Sequence, residues 1–155
     1  MLAPARFLAL ALPALLMAGA LGSQYLGGLA PCEMCLWQRW PHYAAIVAAL
    51  LAIATRRSPA SRPLTLLAGL LILASGLLGG FHAGVEYGWW KGPQHCTGVL
   101  TGGGGDLLRQ IMAAPIVRCD VPQWTLAGVS LAGWNFLFSV AGGIAVLVLC
   151  LKPVR

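Results

Sequence analysis

Two cysteines separated by two residues are the feature of this sequence with the clearest chemistry. They are Cys32 and Cys35, in the stretch PCEMCLWQR, and Arg39 follows four residues after the second cysteine. A CxxC pair binds a metal, forms a reversible disulfide or has no function. A Cys32–Cys35 disulfide closes a small ring, so it removes little chain entropy from the unfolded state. Because strained, exposed disulfides are the labile ones, the spacing favours redox chemistry over structural cross-linking.

Arg39 is expected close to the second cysteine. If a helix begins near Cys32, after Pro31, then Cys35 and Arg39 lie at i and i+4 on one face. The helix N-terminus and the guanidinium would then both stabilise a thiolate on Cys35. The planar donors of arginine also suit an oxygen of a bound cofactor. The alternative is an arginine that anchors the helix at a membrane surface, which the flanking tryptophans would fit.

Three further cysteines, Cys96, Cys119 and Cys150, are more widely spaced. A zinc site with four cysteine ligands often uses two close pairs, but a long segment with a glycine run separates Cys96 from Cys119. Haem attachment requires a histidine directly after the CxxC, and Leu36 stands there. We therefore predict no metal site. A purely structural Cys96–Cys119 disulfide, worth about 3 kcal/mol, is the alternative to redox function, and Cys150 is expected to be an apolar filler.

The composition places these residues in a membrane protein. The chain has 155 residues, of which 59% are hydrophobic and 9% are charged, whereas soluble domains carry about 25% charged residues. Four apolar stretches, each long enough to cross a hydrocarbon core of about 30 Å as a helix, occupy residues 7–29, 35–54, 64–85 and 127–151. No strand-like alternation is present. The sequence predicts one all-α domain, residues 1–155, forming an integral membrane four-helix bundle.

The charges predict the orientation of this bundle. One side carries basic residues and no acid: Arg6, Arg56, Arg57, Arg62, Lys152 and Arg155. The other side, with loops 30–34 and 86–126, carries all four acids. The positive-inside rule therefore predicts cytoplasmic termini and outer cysteine loops. The net charge of +6 reflects this topology, so no nucleic-acid partner is predicted.

The first apolar stretch has a second interpretation. One basic residue, an apolar run and small residues near Ala18 and Ala20 are also typical of a cleaved signal peptide. The apolar run continues to Leu29, which favours a retained helix. Cleavage would leave the later topology unchanged.

The second outer loop is the one long polar segment. It contains four glycines at 102–105, and Asp106 can then cap a short helix with an apolar face. This helix is too short to span a membrane. We expect it to lie on the outer leaflet, with an ordinary packed loop helix as the alternative.

His82 and Glu86 are an ionisable pair at i and i+4 near the outer end of the third apolar stretch. Such residues at membrane depth are candidates for function. They could supply protons or hydrogen bonds to a reduced cofactor, or they could form a satisfied packing pair.

Together these residues resemble the disulfide bond formation protein B (DsbB) family of bacterial inner-membrane thiol oxidases. The resemblance rests on PCEMCLWQR, on the second cysteine pair, and on FHAGVEYGWW and RCDVPQW, so it covers nearly the whole chain. It implies transfer of electrons from DsbA, a soluble periplasmic oxidase, to a non-covalently bound quinone, ubiquinone or menaquinone.

The resemblance also implies a division of roles. Cys96 would accept DsbA in a mixed disulfide, and Cys119 would be its loop partner. Cys32 and Cys35 would form the quinone-coupled pair, with Cys35 beside the quinone, and Arg39 would serve the quinone step. A scaffold with structural disulfides, or a thiol reductase directed outward, are the alternative functions.

Overall fold

The computed structural model describes residues 2–93, 97–98 and 116–152. In this part of the chain the helices are α1 (Leu2–Tyr25), α2 (Glu33–Ala54), α3 (Ser61–Glu86) and α4 (Leu131–Leu151). The predicted all-α bundle is therefore confirmed. Cys96 and the predicted interfacial helix lie outside the described residues.

Three of these helices, α1, α3 and α4, are long and apolar enough to cross a membrane. α2 has a comparable 22 residues, but it carries Glu33, Gln38, Arg39 and His42 in its first half. These polar side chains lower its hydropathy, whereas its second half is rich in Ala, Leu, Ile and Val. The chain is a multi-pass membrane protein, and a span through α2 stays a prediction.

The helices pack closely because small residues line their contacts. α3 contacts both α2 and α4 extensively, and α1 packs against α2 and α4. A Cβ added at Gly76 of α3 would lie 3.0 Å from the Cβ of Ser139, and one at Gly143 of α4 would lie 3.0 Å from the backbone nitrogen of Leu73. Such close approach gives van der Waals contact in lipid, where no hydrophobic effect drives helix association.

The predicted start of the fourth helix at residue 127 is wrong. Strands β3 (Thr125–Leu126) and β4 (Val129–Ser130) instead form a hairpin with a two-residue turn. Ala127 and Gly128 both have positive φ, 51° and 77°, as this type of tight turn requires. Ser130 then caps α4 by accepting a hydrogen bond from Gly133 N. A second pairing joins β1 (Thr97–Gly98) to β2 (Ile116–Val117).

The segments that carry the predicted basic residues lie together at one end of the bundle. Arg6 of α1 donates hydrogen bonds to Ser61 Oγ at 2.9 Å and to the Arg56 carbonyl at 3.4 Å. The Cys150 thiol lies 3.7 Å from the Arg62 carbonyl at the same end. The start of α1, the α2–α3 connection and the end of α4 therefore lie together, opposite to Cys32 and Cys35.

Candidate functional site

Cys32 is the N-cap of α2, and its sulfur contacts the second cysteine of the CxxC motif. Its sulfur accepts a hydrogen bond from the backbone nitrogen of Cys35 at 3.3 Å, as a capping side chain does. The Cys32 thiol also donates to the Cys35 sulfur at 3.0 Å, and the two are not covalently bonded. Cys32 is buried, whereas Cys35 is partly exposed. The helix therefore begins at the motif, as the sequence predicts.

The two cysteines have different environments. The hydrogen bond to Cys35 raises the pKa of the Cys32 thiol, and burial raises it further. The proton is therefore held on Cys32, and its donation to Cys35 favours negative charge on the second sulfur. This polarity is compatible with a thiolate on Cys35, and the reactive role of Cys35 stays a prediction.

Cys119 reaches the motif from the second loop. It is buried in one cluster with Cys32, Val85 and Val117, and Cys35 packs against that cluster. The fold thus brings three of the four predicted outer cysteines to one place. Cys96 lies outside the described residues.

A cavity of about 240 Å³ opens beside the thiols. All four helices contribute to its walls, which are mainly apolar. The polar side chains in its wall include most of the predicted site: Cys32, Cys35, Arg39, His82 and Glu86. Cys119 is in the buried cluster around Cys32 and is not among the lining residues.

Arg39 faces the cavity, but its hydrogen bonds go to α1. Its guanidinium donates to Gln24 Oε1 at 2.6 Å and to the Ala20 carbonyl at 3.4 Å. These bonds hold the side chain across the gap between α1 and α2. Because a guanidinium has five N–H donors, a residue held in this way can still donate to a ligand in the cavity.

His82 and Glu86 form a buried pair with 3.7 Å between Nε2 and Oε1. His82 Nε2 also lies 3.5 Å from the Cys32 sulfur. Gln38 sets its tautomer, because the Gln38 amide nitrogen donates to the Met34 carbonyl at 3.1 Å and lies 2.8 Å from His82 Nδ1. Nδ1 therefore accepts, and Nε2 carries the hydrogen, which the Cys32 sulfur can accept.

Cys32, Cys35 and His82 also have the atom types of a metal site. Their sulfur and nitrogen atoms lie within 4.8 Å of one another. The sulfurs are 3.0 Å apart, whereas two thiolates on a tetrahedral zinc lie about 3.7 Å apart, given Zn–S bonds of about 2.3 Å. A zinc ion would thus need the thiols to separate, and the absence of a metal site stays a prediction.

A buried polar network was missed by sequence reasoning. It links α2, α3 and α4 below the CxxC motif through Gln38, His42, Ser75, Asn135 and Ser139. Gln38, His42 and Asn135 line the cavity. The available signal was the presence of amide and imidazole side chains inside apolar helices, where polar groups are costly.

Arg118 and Asp120 flank Cys119 at the surface. The Arg118 guanidinium donates twice to the Asp120 carboxylate, at 2.9 and 2.6 Å. This bond lowers the pKa of Asp120. Since both side chains are about half exposed, the pair contributes little to stability.

Comparison with known proteins finds a family that matches nearly the whole chain. The family model described as disulfide bond formation protein DsbB matches residues 3–149. A protein named disulfide bond formation protein B from Polaromonas sp. (strain JS666 / ATCC BAA-500) is 32% identical, over 90% of this chain and 85% of its own length. Its namesake from Verminephrobacter eiseniae is 35% identical, over 90% of this chain and 81% of its own length. No solved structure matches.

Proposed function

Because the chain belongs to the DsbB family of membrane disulfide bond formation proteins, we propose that it reoxidises a periplasmic DsbA-like oxidase and passes the electrons to membrane quinone. The observation that carries this proposal is the meeting of Cys32, Cys35 and Arg39 at one cavity, with Cys119 in the same buried cluster as Cys32. A scaffold with structural disulfides would not need a ligand-sized cavity beside its thiols.

The cavity fits a quinone headgroup. Its volume of about 240 Å³ is slightly below the range of small-molecule sites, which begins at about 300 Å³, and suits a single ring. Its apolar walls suit a lipid-soluble ring, and buried polar atoms of His42 and Glu86 have no partner among the described residues. Arg39 supplies a cation with planar donors. A bound quinone would supply the oxidant, taking two electrons and two protons to become a quinol.

The thiol chemistry balances over two exchanges. DsbA in its dithiol form would reduce the Cys96–Cys119 disulfide, leaving two thiols and oxidised DsbA. The Cys119 thiolate would then attack Cys32 of a Cys32–Cys35 disulfide, releasing Cys35 as a thiolate. Cys96 attacks the mixed disulfide, re-forming the loop disulfide and leaving Cys32 reduced. Oxidation of Cys32 and Cys35 to a disulfide then releases two electrons and two protons. The presence of Cys119 in the same buried cluster as Cys32 supports this order.

Each neighbouring side chain has a role in this sequence. Once Cys32 is reduced again, it holds its proton and donates to Cys35, so the negative charge rests on the Cys35 sulfur in the cavity wall. His82 Nε2 can donate its hydrogen to the Cys32 sulfur and stabilise it when Cys32 is attacked. Arg39 binds an oxygen of the ligand and offsets developing negative charge.

A quinone also meets the energetic need. DsbA is a strong oxidant, with a potential of about −120 mV, so its reoxidation needs an acceptor of higher potential than ordinary dithiols. Such an acceptor in the membrane is reached only by a protein that enters the bilayer. We propose the bacterial inner membrane, with the basic end of the bundle and both termini in the cytoplasm and the cysteines facing the periplasm.

Counting free thiols tests the proposal. The purified protein is incubated with reduced DsbA, with and without a short-chain quinone, and its free thiols are titrated. We expect DsbA thiols to disappear in proportion to quinol formed, with catalytic amounts of this protein. A scaffold would leave DsbA reduced, and an outward reductase would instead oxidise a quinol.

The variant Cys96→Ser tests the order of the pairs. It should abolish oxidation of DsbA while leaving dithiothreitol-driven quinone reduction largely intact, because Cys32 and Cys35 still meet the cavity. Equal loss of both activities would contradict the proposed order.

A further inference from the structure

His42 has an unusual position among the cavity residues. Its side chain is buried, with 3% of its surface exposed. Its Nδ1 atom has no hydrogen-bond partner within the described part of the chain. The residue lines the same cavity as Cys35 and Arg39. It follows Arg39 by three positions and Cys35 by seven, so all three share one face of α2, and His42 lies about 10 Å deeper along the axis than Cys35.

Asn135 determines which nitrogen of His42 carries the hydrogen. The Asn135 amide nitrogen lies 3.2 Å from the Ser75 carbonyl, which can only accept, and 2.8 Å from Gln38 Oε1. Its Oδ1 atom therefore faces His42, and His42 Nε2 donates to it at 3.0 Å. Ser139 donates to the same oxygen at 2.8 Å. A neutral imidazole has one donor and one acceptor, so Nδ1 is left as an acceptor.

An unpartnered acceptor recognises a donor. The oxygens of an oxidised quinone are carbonyls that only accept hydrogen bonds, whereas a quinol presents hydroxyl groups that donate. We propose that His42 Nδ1 accepts a hydrogen bond from a hydroxyl group of the quinol, making His42 a binding residue for the reduced ligand. This inference rests on the proposed function. Arg39, a pure donor, complements the carbonyl form, so the two residues divide recognition of the oxidised and reduced ligand.

The test compares binding of the two ligand forms without turnover. The reduced protein is titrated with a short-chain quinol, and the oxidised protein with the matching quinone, so neither mixture reacts. Binding is followed by tryptophan fluorescence, since Trp124 and Trp134 line the cavity. We expect His42→Leu to weaken quinol binding about 5- to 10-fold, the effect of one lost hydrogen bond, and to change quinone binding less than about twofold.

The dimethyl ether of the quinol provides a matched ligand control, because it has the same ring and no hydroxyl donor. In the wild type, methylation should weaken binding to the reduced protein. In His42→Leu, methylation should have little further effect, as expected when residue and hydroxyl interact directly. His42→Gln keeps an acceptor as well as a donor for Asn135 and should retain part of the preference for quinol.

Three other results would overturn the proposed role of His42. Equal weakening of quinone and quinol binding in His42→Leu and in His42→Gln would show that His42 only maintains the shape of the pocket, and would overturn the inference. Unchanged quinol binding in His42→Leu would do the same and would indicate water as the partner of Nδ1. If the wild type binds neither ligand, the proposed function fails together with the inference.

Discussion

The two ends of the bundle are built on different principles. At the basic end, the core is a cluster of small residues: Ala9, Ala48, Ala49, Ala68 and Val146. The helices meet closely there, as they do at Gly143. At the cysteine end, the helices enclose a cavity of about 240 Å³ bordered by imidazole, amide, carboxyl and thiol groups.

The difference shows which parts of the sequence serve stability and which serve chemistry. In lipid, close packing of small residues stabilises helix association without polar groups. Buried polar groups are costly and a cavity forfeits packing contacts, so neither adds to stability by itself. Their concentration around Cys32 and Cys35 therefore supports the proposed site.

The largest effect is expected from the cysteines. Cys35→Ser removes the sulfur on which the thiolate is expected, so quinone reduction should fall at least about 10³-fold, as for loss of a reacting group. Cys150→Ser, at the basic end, should leave the rate unchanged. Quinone-dependent thiol oxidation by purified variants measures both. Equal effects of the two substitutions would remove the functional distinction between the ends.

Substitution of Arg39 should have the second largest effect on quinone reduction. Arg39→Ala should raise the KM for quinone about 10- to 100-fold, since a hydrogen bond from a charged donor is worth about 1.5–3 kcal/mol. Arg39→Lys keeps the charge without the planar donors and should be intermediate. Arg57→Ala, at the exposed basic end, is the control and should change KM less than about twofold. An unchanged KM in Arg39→Ala would reduce this residue to a link between α1 and α2.

Reactivity should distinguish the two thiols of the motif. In the reduced protein at pH 7, iodoacetamide should label Cys35 at least about tenfold faster than Cys32, because Cys32 is buried and its pKa is raised. Cys32→Ser keeps a capping oxygen and a donor to Cys35, so it should preserve fast labelling. Cys32→Ala loses both and should slow it. Mass spectrometry of the labelled peptides measures these rates, and faster labelling of Cys32 would reverse the assignment.

A packing change should affect stability without affecting chemistry. The Cβ of Gly143→Ala would lie 3.0 Å from Leu73 N and 3.1 Å from the Gly69 carbonyl. Overpacking of this kind costs about 1–3 kcal/mol, so the unfolding temperature should fall while the KM for quinone stays the same. Gly19→Ala, with nothing within 4 Å of its added Cβ, is the control and should not lower the unfolding temperature. A changed KM for quinone in Gly143→Ala would show that this helix contact affects the cavity, contrary to the prediction.

The smallest effect is expected at the Arg118–Asp120 pair. Arg118 lowers the pKa of Asp120 in the folded protein below its value in the unfolded chain. The pair therefore stabilises the folded state above the ordinary aspartate pKa, and this stabilisation is lost as pH falls through the lowered pKa. In the Asp120→Asn variant, the backbone amide hydrogens around residues 118–126 should therefore exchange with solvent slightly faster than in the wild type at pH 7. The difference from the wild type should disappear in acid. A difference that persists at low pH would exclude the ion pair as its cause.

The sequence by itself determined the class of protein and the location of the candidate reactive groups. Low charge and four long apolar stretches indicate a helical membrane bundle whatever the packing, because the bilayer requires internal backbone hydrogen bonds. The CxxC spacing and Pro31 placed the start of α2 at the motif, because capping and thiol reactivity depend on local geometry. The hairpin at Thr125–Ser130 was missed, because an apolar segment with one glycine is typical of a helix as well.

Only the tertiary structure decided which side chains meet. Arg39 is bonded to α1 rather than to Cys35, and His82 lies beside Cys32. No local pattern predicts these contacts, because they depend on how α1, α2 and α3 are rotated against one another. The acceptor on His42 is a stronger case. Its tautomer follows from Asn135, 93 residues later in the chain, and that amide is in turn oriented by a carbonyl of α3. Contacts of this kind between helices decide which atom donates and which accepts, so the hydrogen-bonding state of His42 depends on the assembled bundle.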